Sequence, residues 1–251
     1  MRKFVVLVGV IGALSLAVVG VAAQAARPGS VTCSGGPIAP GAYSSVTVTG
    51  FCWWGGDVTI NGNLTVADGA LLNDHDFSTA TVVVNGNVKV GKSAVLGLGS
   101  YNPFSGQHTV VNGNVIADQP LSLYLSFITI HGNLISNGGG GGVTGEFRNF
   151  PTKDIVVDGN MVIQGWTGGW IGIIRDQVGG NVIFSNNQSV LTQDEEGNVS
   201  VGTDPDSSEV ATNVIGGNLI CQGNNPPAQL GDSGGLLNTV GGQKLGQCAN
   251  L

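Results

Sequence analysis

Two carboxylates, Asp154 and Asp158, bracket a short apolar run, and a third, Asp176, follows in the next repeat. Glycoside hydrolysis needs two carboxyl groups on one face, at a separation set by the mechanism. Close by, Trp166-Thr167-Gly168-Gly169-Trp170 sets two indoles around a tight turn. Exposed indoles stack on sugar rings, whereas buried ones fill a wide core, which is the commoner fate. Asp154, Asp158, Trp166 and Trp170 are therefore the candidate glycan contacts. A lyase acting on acidic polymers needs several basic groups to clamp carboxylates. The middle of the chain offers Arg148, Lys153 and Arg175. No catalytic residue is assigned, and the reading leans away from an enzyme.

Oxygen ligands at short spacing also occur at Asp204, Asp206 and Glu209, near Asp194-Glu195-Glu196. These are candidate Ca2+ ligands. Their spacing follows neither an EF-hand loop nor a nonapeptide Ca2+ repeat, so an acidic insertion is the favoured reading and no cofactor is assigned. Asp74-His75-Asp76 is compact enough for a metal, but further ligands are missing and a solvated loop is expected. Gly231-Asp232-Ser233-Gly234-Gly235 resembles the nucleophile loop of chymotrypsin-like serine proteases, in which a His activates the Ser. The histidine motif of that family is absent. The three histidines sit in Asp74-His75-Asp76, Gln107-His108-Thr109 and Ile130-His131-Gly132. Protease activity is not expected.

The start of the chain has the layout of a secretory signal. Arg2 and Lys3 precede an apolar run from Phe4 to Val21, and Ala23-Gln24-Ala25 offers a cleavage site, so residues 1–25 are read as the signal peptide. The rival is an uncleaved anchor, since the run approaches membrane-spanning length. Nine basic residues less Arg2 and Lys3 leave seven against 16 acidic ones, a net charge of −9. No basic face can be assembled to neutralise phosphates, which excludes nucleic acid as a partner. Four cysteines in an exported chain imply disulfides. Three pairings are open; the local ones, Cys33–Cys52 and Cys221–Cys248, are expected because the two clusters lie far apart in the chain. Closing loops of this length contributes about 3 kcal/mol each.

The elements that must position these residues come from a repeat. An aliphatic residue, one free position, Gly-Asn and a second aliphatic recur as Ile60-Asn61-Gly62-Asn63-Leu64, then around Gly86, Gly113, Gly132, Gly159, Gly180 and Gly217. A degenerate copy follows at Val240-Gly241-Gly242-Gln243-Lys244. The first seven glycines are separated by 24, 27, 19, 27, 21 and 37 residues, and the last step hides either a coil or an insertion. β-Branched residues with apolar side chains on alternate positions surround each copy, which predicts short strands. Gly and Asn enter left-handed backbone conformations cheaply, so each Gly-Asn is expected to mark a sharp corner between two short strands. A stacked Asn can bond along the axis to its copy on the next turn, and stacking at ~4.8 Å makes the aliphatic interior continuous. An all-β, single-stranded right-handed parallel β-helix (β-solenoid) is therefore predicted over residues 57–220. Disulfide-bearing caps are predicted at 26–56 and 221–251. An antiparallel sandwich built on Asn-Gly hairpins is the alternative.

These Gly-Asn-Val rungs resemble a broad group of uncharacterised exported bacterial right-handed parallel β-helix proteins. So do Gly202-Thr203-Asp204-Pro205-Asp206-Ser207-Ser208-Glu209-Val210, Gly216-Gly217-Asn218-Leu219-Ile220-Cys221 and the closing Gly246-Gln247-Cys248. The resemblance covers nearly all of the mature chain and implies a fold and an export route, with no activity. The expected function is a secreted or cell-surface structural or interaction module. A carbohydrate-binding or carbohydrate-active protein on extracellular polysaccharide is the alternative. Expected partners are cell-wall or extracellular polysaccharide, or surface proteins. Membrane contact is expected only through the signal segment, and the chain is expected to be a monomer. Ice binding would need aligned outward threonines; Thr59, Thr81, Thr109 and Thr129 begin such a row, but Ile155 and Asp176 break it.

Overall fold

The computed structural model describes residues 29–73, 80–100, 109–141, 150–189, 191–193, 199–201, 208–231 and 234–251. These residues contain strands and no helix. Their strands form one 16-stranded and one 9-stranded sheet, with two small two-stranded sheets beside them. The expectation of an all-β chain with parallel pairing is met.

Consecutive strands visit three ladders in a fixed order. Val58–Ile60 lies in the 9-stranded sheet, and Leu64–Val66 and Leu71–Asn73 lie in separate parts of the large one. Val82–Val84, Val88–Val90 and Val95–Gly99 then repeat the order, each pairing parallel with its predecessor. We call one such passage a circuit, and the three ladders first, second and third in that order. The second and third ladders are joined through Ser45–Trp54, which pairs with Leu64–Val66 by its first half and with Leu71–Asn73 by its second. Six further first-ladder strands, from Thr109–Val111 to Thr239–Val240, continue the pattern.

Each Gly-Asn falls at the corner between the first and second ladders, and the strands on either side of it belong to different sheets. The Asn-Gly pairs therefore do not close hairpins. The expected left-handed conformation is corrected: neither residue of these pairs has a positive φ, and the glycine is required instead because the preceding circuit leaves no room for a side chain. A Cβ on Gly132 would sit 2.6 Å from the Gly113 carbonyl oxygen, and one on Gly180 2.6 Å from Asn160 Oδ1. The asparagines supply the axial bonds. Asn114 Oδ1 accepts the backbone N–H of Asn133 at 2.8 Å and its Nδ2 at 2.9 Å. Asn133 Oδ1 accepts the N–H of Asn160 at 2.8 Å, and Asn160 Oδ1 that of Asn181 at 2.9 Å. The column runs from Asn63 through Asn218 to Gln243, which takes the place of the last asparagine.

The alternating pattern gives each strand one inward face. Val46, Leu64, Val88, Val115, Leu134, Met161, Val182 and Leu219 are register partners along the second ladder, and all are 0 % exposed. Burying each side chain of this size is worth about 1.5–3 kcal/mol. The long step between Gly180 and Gly217 holds an insertion. Val182–Ser185 and Ser208–Ala211 keep their ladder places, while Leu191–Gln193 and Val199–Val201 pair antiparallel between them. Disulfides join Cys33 to Cys52 and Cys221 to Cys248, a pattern compatible with an exported protein.

Candidate functional site

The segment from Phe150 to Val178 carries most of the chemically interesting residues, spread over two circuits. Phe150–Lys153 pairs with Ile171–Ile174 in the third ladder, and each strand is followed by a left-handed residue, Asp154 at φ 57° and Arg175 at φ 58°. That conformation turns the chain sharply toward the first ladder and stacks the two side chains. Arg175 Nε donates to Asp154 Oδ1 at 2.8 Å and Nη2 to Oδ2 at 2.7 Å, a bidentate fork. The Asp154 carboxylate raises the Arg175 pKa further, first through this hydrogen bond. The pair is partly solvent-exposed, so its contribution to stability is small.

Asp158 lies at the other end of Val156–Val157, on the Gly-Asn corner, and bonds His131 Nδ1 at 2.7 Å. Asp154 and Asp158 thus occupy different corners, each engaged by a basic group of a neighbouring circuit. The expectation of a shared carboxylate face is corrected: the two-residue strand between them sets them at different corners, each with a basic partner of its own.

Trp166 is also corrected as a glycan contact. It is 0 % exposed and packs edge-on to Phe150, with ring centroids 5.0 Å apart and an interplanar angle of 75°. The glycine run before it makes this possible, since a Cβ on Gly139 would lie 2.6 Å from the indole. Trp170 is half-buried; it lies against Gly172, and Lys153 Nζ stands 4.9 Å from its ring centroid.

Asp176 is wholly buried at the corner between the third and first ladders, where Oδ1 accepts the Ile155 N–H at 3.1 Å. Burial pushes its pKa up to about 7; the Thr152 hydroxyl, the Ile155 N–H and Arg175 oppose the rise, and Asp154 adds to it. Sequence reasoning placed Asp176 on an outer face and missed two buried polar columns. One runs Asp176, Asn213, Asn238 and the other Asn187, Asn224, Gln247. A signal for both was present: Asp176 to Asn213 and Asn187 to Asn224 each span 37 residues, the same step as Asn181 to Asn218.

Of the Ca2+ candidates, Asp204 and Asp206 lie outside the described residues, as do Asp74, His75, Asp76, Asp232 and Ser233. Glu209 is buried, with Gly231 packed so closely on its carboxylate that no side chain fits there. No group of three metal-ligating residues occurs among the described residues. The described part of the site can present a charged fork and a cation-capped indole at the surface. The chain matches no family model, no curated protein and no solved structure.

Proposed function

We propose that this is an exported, extracellular or cell-surface protein whose mature part is a single-stranded right-handed parallel β-helix, acting as a structural or interaction module. The observation that carries the reading is the in-register return of successive circuits to the same ladders, with asparagine columns tying them together. A right-handed winding follows from the strong preference of parallel strand crossovers for that hand. Both disulfides support an oxidising destination. The paired states of Asp154 and Asp158 and the burial of Trp166 favour a scaffold over a hydrolase.

Expression of the full chain with its leader in a secreting bacterium tests this. The reading expects a product outside the cytoplasm, cleaved near Ala25, with no free thiol and no turnover of polysaccharide. Retention in the cytoplasm with reduced cysteines would sink the export part. Release of reducing sugar from an extracellular polysaccharide would replace the scaffold reading with the carbohydrate one.

A further inference from the structure

We infer that a proton on Asp176 stabilises its closed circuit, so that the corner between the third and first ladders is a proton-sensitive latch. Asp176 stands in a column otherwise built from asparagine. Its N–H donates to Asn213 Oδ1 at 2.8 Å, and the N–H of Asn213 donates to Asn238 Oδ1 at 3.0 Å. In the two later circuits the amide nitrogen has a fixed task. Asn213 Nδ2 donates to the Ile173 carbonyl and Asn238 Nδ2 to the Val210 carbonyl, both at 2.8 Å. Val210, Ile173 and Thr152 are successive register partners. One circuit earlier, the same geometry directs Oδ2 of Asp176 toward the Thr152 carbonyl.

Asn213 Nδ2 also donates to Asn238 Oδ1 at 2.8 Å, and the equivalent contact for Asp176 Oδ2 is Asn213 Oδ1. Both of these oxygens facing Oδ2 are acceptors; the Thr152 hydroxyl, which favours the charged form, also reaches the carboxyl, but it donates to the Gly172 carbonyl at 3.2 Å. A carboxylate there sets lone pairs against lone pairs, whereas a carboxyl O–H supplies the donor that the amide supplies elsewhere. Oδ2 is buried and has no hydrogen-bond partner among the described residues, as this arrangement requires of an oxygen without its proton. The charged groups acting on Asp176 are Asp154 and Arg175. Arg175 is already held by the Asp154 fork, so it offers little compensation for ionisation. Burial outweighs the groups that favour the charge and brings the pKa up to about 7.

The direction follows from linkage. The folded state binds the proton more tightly than the unfolded chain, so the stabilisation is complete below the unfolded value of 3.8. It is lost as pH rises through about 7. The unfolding constant attributable to Asp176 should increase about 10^3-fold across that window. Two measurements test the latch. Urea unfolding of the wild type and of Asp176→Asn between pH 5 and pH 9 removes the shared titration of other carboxylates by difference. The variant is expected to gain on the wild type as pH rises and to level off above pH 8. Carboxyl 13C NMR of the wild type should place the Asp176 midpoint near neutrality. A midpoint below pH 5, or a stability difference that does not change with pH, overturns the proposal. So does failure of Asp176→Asn to fold, because asparagine is here the better-fitting residue.

Discussion

Removing one amide from the Gly-Asn column isolates the bond that ties neighbouring circuits. In Asn133→Ala, Asn160 loses the acceptor for its backbone N–H at 2.8 Å and for its Nδ2 at 3.3 Å. The bond from Asn133 Nδ2 to Asn114 Oδ1 at 2.9 Å is lost as well. The backbone N–H of Asn133 keeps its own acceptor, and the position is not left-handed, so alanine adds no strain. A part-buried N–H left without a partner costs about 1–3 kcal/mol, and each net side-chain bond about 0.5–1.5 kcal/mol. Since water reaches part of this corner, we expect a total loss of about 2–3 kcal/mol. The control is Asn112→Ala, which removes an exposed side-chain bond to Asn85 Oδ1 at 2.7 Å and leaves no backbone group stranded. Its cost should stay within about 0.5 kcal/mol. Urea unfolding followed by circular dichroism gives both values, and a double-mutant cycle of Asn133→Ala with Asn160→Ala gives the coupling. Equal costs at the two positions, or a coupling of zero, would refute the axial role of the column.

Trp166→Ala removes a fully buried indole and should destabilise by about 3–5 kcal/mol in thermal or urea unfolding. Trp170→Ala, at a half-buried indole, should cost far less. Gly180→Ala forces a Cβ to within 2.6 Å of Asn160 Oδ1 and should unfold at clearly lower urea, whereas Gly29→Ala, with nothing within 4 Å, should be neutral. Replacing Cys33 and Cys52 together by serine opens a loop of 19 residues and should cost about 3 kcal/mol, with amide exchange fastest in Ser30–Ile38.

The repeat was legible because its physics is local. A glycine that no side chain can replace and an asparagine with an axial bond leave the same letters at every corner, so Gly132-Asn133 and Gly180-Asn181 announce the circuit. Trp166 was not legible, because whether an indole points inward depends on the circuit before it. Only the alignment of Gly139 below Trp166 reveals the space. The side-chain pairs between circuits were hidden for a related reason. His131 and Asp158 are 27 residues apart, and Asp154 and Arg175 are 21 apart; both separations equal a circuit length. They look unrelated until the repeat is used as a ruler. Asp176 read as an outer carboxylate because aspartate is seldom buried, and its column became visible only beside Asn213 and Asn238.

The proposed winding is tested most directly by backbone nuclear Overhauser contacts across the second ladder. Parallel in-register pairing predicts contacts between Ile116 and Ile135, Ile135 and Val162, and Val162 and Ile183. Contacts instead between Ile130 and Leu134, folded back antiparallel across Gly132-Asn133, would contradict the account.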